Sequence, residues 1–249
     1  MSQEVQVPQA ELKSFKWKGD RPGALELWIP PGVFEPSPTS LALASAIDIK
    51  PGESVIDVGT GCGILGLIAA GHGASRVFGS DISQESIQAA RVNATRLGLD
   101  DRTDFRVGDM FKPFKGIRAD VIIGDVSGIP DVIAKLTGWF PTRRGGGRDG
   151  SKLPAKMLQE AVEHLNPGGR LYFASGTIQN EAKVLAAAQP NFLLKLLSSK
   201  TFPLPKDVAE AKGVRQLVEK GLIQLERHGS RLVWQLNVHL GTLKQSISG

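Results

Sequence analysis

The sequence predicts an α/β fold: a doubly wound, mostly parallel sheet with helices on both faces. Three observations carry that expectation. Short apolar runs alternate with helical segments from residue 54 to residue 197, the spacing of parallel strands joined by helical crossovers. The run Val55-Ile56-Asp57-Val58 leads at once into Gly59, Gly61 and Gly63 and then into an apolar, alanine-rich stretch. That order reads strand, tight loop, helix, and the glycines let a ligand lie against bare backbone. Asp57, Asp81 and Asp109 fall at the ends of successive strand segments, the edge at which open α/β sheets bind ligands.

The elements follow in order. Residues 1–20 are polar and mixed in charge and read as a loose start. Residues 24–30 read as a short strand, broken by Pro30-Pro31-Gly32. The proline-stiffened segment 33–40 ends in Thr39 and Ser40, either of which suits the cap of a helix over 41–47. Strands are expected at Ser54–Val58, Arg76–Asp81, Thr103–Val107, 120–123, 170–174 and 192–197. Helices are expected at Ile64–Gly71, 84–97 with Ser83 as cap, 130–136, 153–165 and 179–188. Pro167-Gly168-Gly169 is the turn into the fifth of these strands. In the tail, 206–220 reads as a helix, and 222–226 and 232–240 as a hairpin around Arg227-His228-Gly229-Ser230. The second arm is expected to enter the main sheet antiparallel, completing seven strands; a winged nucleic-acid module is the competing reading of helix plus hairpin. The chain thus divides into an N-terminal segment and covering loop (1–40), a ligand-binding core (41–200) and a C-terminal helix and hairpin (201–249).

Composition narrows the class. With 41% hydrophobic and 22% charged residues in 249, the chain has the balance of one large globular domain. No apolar run is long enough to cross a bilayer. The polar first nine residues lack a signal core, so a cytoplasmic protein is expected. The single cysteine, Cys62, excludes an internal disulfide and reads as a small packing residue. His72, His164, His228 and His239 show no metal-ligand spacing. The net charge of +5 comes from scattered basic residues, which permits an acidic partner without requiring one.

Two cofactors compete for the glycine loop. Gly61-Cys62-Gly63-Ile64-Leu65-Gly66 satisfies a dinucleotide fingerprint, with Asp81 20 residues after Gly61. Asp57, two residues before the first glycine, argues instead for a methyl donor. A carboxylate there suits the cationic methionine end of S-adenosyl-L-methionine and repels a pyrophosphate. Asp81 is then placed for the ribose hydroxyls. Asp109 is placed for the adenine amino group, with Met110 and Phe111 as apolar neighbours.

Residues 33–175 resemble the class I S-adenosylmethionine-dependent methyltransferases, whose core is a Rossmann-like sheet. They are most similar to the branch of HemK, the release-factor glutamine methyltransferases and related small-domain enzymes. Val33-Phe34-Glu35-Pro36-Ser37-Pro38-Thr39-Ser40 resembles that branch's proline-rich loop, and Gly146-Gly147-Arg148-Asp149-Gly150 its Gly-Gly-x-Asp-Gly loop. The resemblance implies a donor site formed by Phe34, Pro36, Thr39, Asp57, Gly59, Thr60, Gly61, Gly63, Asp81, Ile82, Asp109 and Met110. It departs after the fourth core strand. The branch has Asn-Pro-Pro-Tyr there, whereas this chain reads Gly124-Asp125-Val126-Ser127-Gly128-Ile129-Pro130.

Methyl transfer from a sulfonium is an in-line displacement, in which the protein supplies alignment and a dry pocket. Asp125 is the candidate to position the acceptor or take its proton; capping the next helix is its structural alternative. Ser127 is the candidate hydrogen-bond donor to the acceptor. Arg143, Arg144 and Arg148 form a basic cluster suited to an anionic substrate group, and Asp149 and Arg148 equally suit loop bracing. The expected activity is methylation of a nitrogen, with oxygen second, on a small molecule or protein side chain. A non-catalytic scaffold and a nucleic-acid methyltransferase are the alternatives. The missing aromatic disfavours the latter, because an extruded base loses its stacking partner.

Overall fold

The computed structural model describes residues 13–19, 24–139 and 145–245; Arg143 and Arg144 lie outside them. Ten strands and eight α-helices are assigned among these residues. The first two strands, β1 (Lys13–Lys18) and β2 (Ala24–Ile29), form a separate antiparallel hairpin. The expectation of a loose start therefore fails for 13–18, because those residues find ladder partners from Ala24 to Ile29.

The main sheet runs in the order β5-β4-β3-β6-β7-β10-β8. Its strands are β3 (Ser54–Val58), β4 (Arg76–Asp81), β5 (Thr103–Val107), β6 (Ala119–Gly124), β7 (Leu165–Gly176), β8 (Phe192–Leu204) and β10 (Arg231–Leu243). The short β9 (Glu226–His228) pairs with β10 off this path. Strands β5, β4, β3, β6 and β7 are parallel, and β10 runs antiparallel between β7 and β8. The last long strand is therefore interior, and among the described residues β8 pairs with β10 alone.

Seven helices cross over the sheet or follow it: α2 (Ile64–Gly71), α3 (Gln84–Arg96), α4 (Asp131–Thr137), α5 (Lys152–Glu160), α6 (Glu181–Ala188), α7 (Lys206–Glu210) and α8 (Lys212–Glu219). Two apolar cores flank the sheet. One centres on Leu43, Leu67, Val77, Ile87 and Ile123, the other on Ile56, Phe114, Ile122, Met157 and Phe173. This two-sided burial explains why β3 and β6 read as continuous apolar runs.

Several boundaries move for local reasons. The first helix, α1 (Pro38–Ala46), starts before Thr39 and Ser40, because Ser37 is its cap. Ser37 accepts from the Ser40 backbone N–H, and the Ser40 hydroxyl accepts from the Ser37 N–H, a reciprocal capping box. The helix expected over 153–165 ends at Glu160 and tightens into a 3₁₀ turn, so Leu165 already belongs to β7. The helix expected over 206–220 is two helices, interrupted at extended Ala211. Residues 222–225 are not a strand; the hairpin arm is β9, and its turn is Gly229-Ser230.

The N-terminal hairpin docks on α3. Leu27 and Ile29 are buried in the core, and Arg96 stacks over the Trp28 ring. Fully buried Asn93 accepts from the Trp28 N–H at 2.8 Å and donates to the carbonyls of Trp28 and Cys62, both at 3.0 Å. One amide thus ties the hairpin to the glycine loop.

Candidate active site

Parallel pairing brings the carboxyl ends of β3, β4, β5 and β6 to one edge, where the loops carrying Gly59, Asp81, Asp109 and Asp125 meet. The glycine loop is pinned from beneath. The Gly59 and Thr60 N–H groups both donate to the Ser80 carbonyl at 2.9 Å, and Gly63 closes the turn onto the Thr60 carbonyl. Gly59 has φ +77°, and a Cβ there would lie 2.8 Å from the Asp125 carbonyl oxygen. Glycine at this position therefore lets the β3 and β6 loops touch. A Cβ on Gly61 would meet nothing within 4 Å, so that side of the loop is open.

Asp57 is fully buried under the loop. Its Oδ2 accepts from the Thr60 hydroxyl at 2.6 Å and the Gly66 N–H at 2.9 Å. Its Oδ1 is buried without a hydrogen-bond partner among the described residues. Burial pushes its pKa up to about 7, with Asp125 and Asp81 adding to the rise and the two hydrogen bonds opposing it. Asp81 accepts from the Gly61 N–H at 3.1 Å and the Ser83 N–H at 2.9 Å, and burial raises its pKa. Ile82 beside it is 74% exposed, although isoleucine is among the residue types most often buried.

On the β5 loop, Asp109 is already engaged. Its Oδ2 accepts from Lys156 at 2.8 Å and Lys112 at 2.9 Å, and these bonds hold its carboxyl below the usual range. Met110 is the one non-glycine with positive φ among the described residues, at 51°. It is held there by the buried Ser80 hydroxyl, which donates to the Met110 carbonyl at 2.6 Å. Ser80 therefore fixes both the glycine loop and the β5 loop. Ser80→Ala would leave a buried carbonyl unpaired, at a cost of about 1–3 kcal/mol. The expected result is a lower melting temperature and weaker adenosine binding by calorimetry, and an unchanged Ala variant would refute this role.

Asp125 sits on the β6 loop with its N–H on the Val58 carbonyl at 3.2 Å. Its Oδ2 accepts from the Ser40 hydroxyl at 2.6 Å, and its other carboxylate oxygen accepts no hydrogen bond among the described residues. Burial pushes its pKa up to about 6, against the lowering effect of Ser40. Asp125 does not cap α4: Pro130 occupies that position and no side chain caps the helix. Ser127 presents a buried hydroxyl without a partner among the described residues. Phe34, Pro36 and Thr39 are half-buried on the segment leading to Ser40.

The 145–150 loop packs against the Asp125 loop. Gly146 N–H donates to the Ile129 carbonyl, and Asp131 N–H donates to the Gly147 carbonyl. The Gln179 amide donates to the Gly128 and Gly150 carbonyls and accepts from the Gly176 N–H. Asp149 accepts from Ser151 and Asn180, which gives it the bracing role. Among the described residues no group of three or more His, Cys, Asp or Glu side chains is placed to hold a metal ion. Ser80, Asn93 and Gln179 carry no motif signal, because the Ser80 and Asn93 contacts and the Gln179 bonds to Gly128 and Gly150 span long stretches of sequence; Ser40 lies in the proline-rich segment, but its bond to Asp125 spans 85 residues.

Residues 49–224 match the family model described as a methyltransferase domain. The chain belongs to this family. It is 39% identical over 132 residues to the ribosomal protein L11 methyltransferase of Caldanaerobacter subterraneus, covering 53% of this chain and 34% of that relative. It is 30% identical over 176 residues to the release factor glutamine methyltransferase of Moorella thermoacetica, covering 66% and 62%. The chain thus spans about a third of the first relative and under two thirds of the second. Its fold is similar to that of a T. thermophilus 16S rRNA N2 methyltransferase solved with AdoMet and guanosine. That likeness has a TM-score of 0.63 at 16% identity and covers 97% of this chain and 53% of the other. It is also similar to a M. jannaschii tRNA methyltransferase, with a TM-score of 0.59 at 12% identity, covering 98% and 60%.

The edge fits the cofactor of class I methyltransferases, S-adenosylmethionine. The orphaned Asp57 Oδ1 offers an acceptor, the open side of Gly61 offers bare backbone, and exposed Ile82 offers an apolar surface to cover.

Proposed function

We propose that the chain transfers a methyl group from S-adenosylmethionine to a nitrogen of a protein side chain. The observation that carries the reading is Asp125. It is a carboxylate held by Ser40 on the strand edge, with its backbone against Gly59 of the donor loop. The names of the relatives, which act on a ribosomal protein and a release factor, support a protein acceptor.

The donor supplies an electrophilic methyl group. The residues supply the rest. Gly59, Thr60, Gly61 and Gly63 cradle the donor, with Asp57 accepting from beneath. Asp81 and Ile82 hold the ribose and the ring, and Asp109 and Met110 form the far wall. Phe34, Pro36 and Thr39 cover the donor and exclude water. The unengaged Asp125 oxygen accepts from the acceptor N–H and takes its proton, while Ser127 donates to a neighbouring polar group of the substrate.

Calorimetry with S-adenosylmethionine, its demethylated product and NAD tests the donor half. Saturable binding of the first two and none of the third is expected. Absence of heat with either sulfur ligand would overturn the assignment.

A further inference from the structure

Two features find no use in that chemistry: Arg148 in the glycine-rich loop, and the C-terminal helix α8. They meet in space. Helix α4, helix α8 and the 145–150 loop enclose a cleft of about 400 Å³, in which Val132 and Leu217 supply apolar surface and Lys135, Arg148, Gln216 and Lys220 supply polar groups. Leu217 is buried, whereas Lys135, Arg148 and Lys220 are exposed. None of these three cations forms an ion pair with a described residue. The one carboxylate in the cleft, Asp131, accepts from the Gly145 and Gly147 N–H groups at 3.0 and 3.3 Å. A net positive field therefore surrounds an apolar floor.

The cleft is tied through the chain to the Asp125 loop. Asp131 lies six residues after Asp125, and its N–H donates to the Gly147 carbonyl, next to Arg148. We propose that this cleft docks a segment of the protein substrate in which acidic side chains flank an apolar one, beside the residue to be methylated. The proposal rests on the protein-acceptor reading above. An apolar floor with cations around it matches such a segment. A single-stranded nucleic acid would call for a cationic track with aromatic stacking platforms, and the residues lining this cleft include no aromatic.

The test uses the full chain and a fluorescein-labelled eight-residue peptide alternating glutamate and leucine, with a glutamine-for-glutamate control. A labelled uridine decamer is the third probe. The variant is Lys135→Glu combined with Lys220→Glu; both positions are exposed, and S-adenosylmethionine calorimetry checks that its donor site is intact. The wild type is expected to prefer the acidic peptide over its control by about tenfold at low salt, and the double variant to lose that preference. Equal binding of the two peptides overturns the proposal, as does undiminished binding by the variant. Tighter binding of the decamer, abolished in the variant, would make the cleft a nucleic-acid site instead. Peptide binding by a chain that binds no S-adenosylmethionine would refute the donor assignment and leave the cleft standing.

Discussion

Asp125→Asn is expected to lower kcat by about 100-fold, with donor affinity changed less than about threefold, because removing a positioned proton acceptor typically costs about 10²–10⁴ in rate. The asparagine keeps the size and still accepts from Ser40, so the loss would report the charge. The wild-type profile supplies a second readout. Burial sets the Asp125 pKa at about 6. Turnover should therefore fall as pH drops through about 6, where the carboxylate gains a proton and ceases to accept. Ser40 lowers that pKa through its 2.6 Å hydrogen bond. Ser40→Ala should then move the acidic limb to higher pH, a shift that a purely structural serine would not produce. Full turnover by Asp125→Asn would remove Asp125 from the mechanism.

Asp57→Asn is expected to have opposite effects on folding and on binding. A fully buried carboxylate whose pKa rises from 3.8 to about 7 holds its proton more tightly in the folded state than in the unfolded chain. The sign follows by linkage: the folded state loses stability as pH climbs from about 4 to about 7, and the deficit is constant above that. At about 1.4 kcal/mol per tenfold difference in proton affinity, the deficit is on the order of 4 kcal/mol at most. Asparagine carries no charge, its oxygen can accept from Thr60 and Gly66, and its nitrogen replaces the orphaned Oδ1. The variant should gain about 1–3 kcal/mol over wild type at pH 8, about 2–4 °C in melting temperature per kcal/mol, and little at pH 4. Its affinity for S-adenosylmethionine should fall at least about tenfold, since a neutral amide does not complement a cation. Scanning calorimetry at the two pH values and a donor titration decide the matter. A variant less stable at pH 8 would show that the charge is not the burden.

Much of the candidate site is local in sequence, and the placement of that part at one sheet edge is legible there. Asp57 and the three glycines lie within seven residues, and the alternation of strands and helices dictates which strand ends share an edge. The expected antiparallel entry of the last strand also matches β10. What escaped was contact at a distance. Nothing in Pro36-Ser37-Pro38-Thr39-Ser40 says that Ser40 reaches Asp125, 85 residues on, and either serine is chemically able to cap the helix. Lys13–Lys18 looked loose because its alternation of lysine with aromatic residues becomes a strand only when β2 is beside it. The engagement of Asp109 by Lys156 is equally invisible, since the pair is 47 residues apart.

The position of β10 sets an order of events during synthesis. As the ribosome releases the chain, the parallel strands β3 to β7 and their helices can assemble first, because their contacts are comparatively local. Strand β8 emerges next and has no described ladder partner until residues 231–243 appear. In the interval the β7 edge and the whole of β8 expose unpaired backbone, the condition in which strands add to foreign chains. Strand β10 is thus a wedge that closes two open edges at once. A nascent chain halted just before it should be the most aggregation-prone intermediate this protein forms.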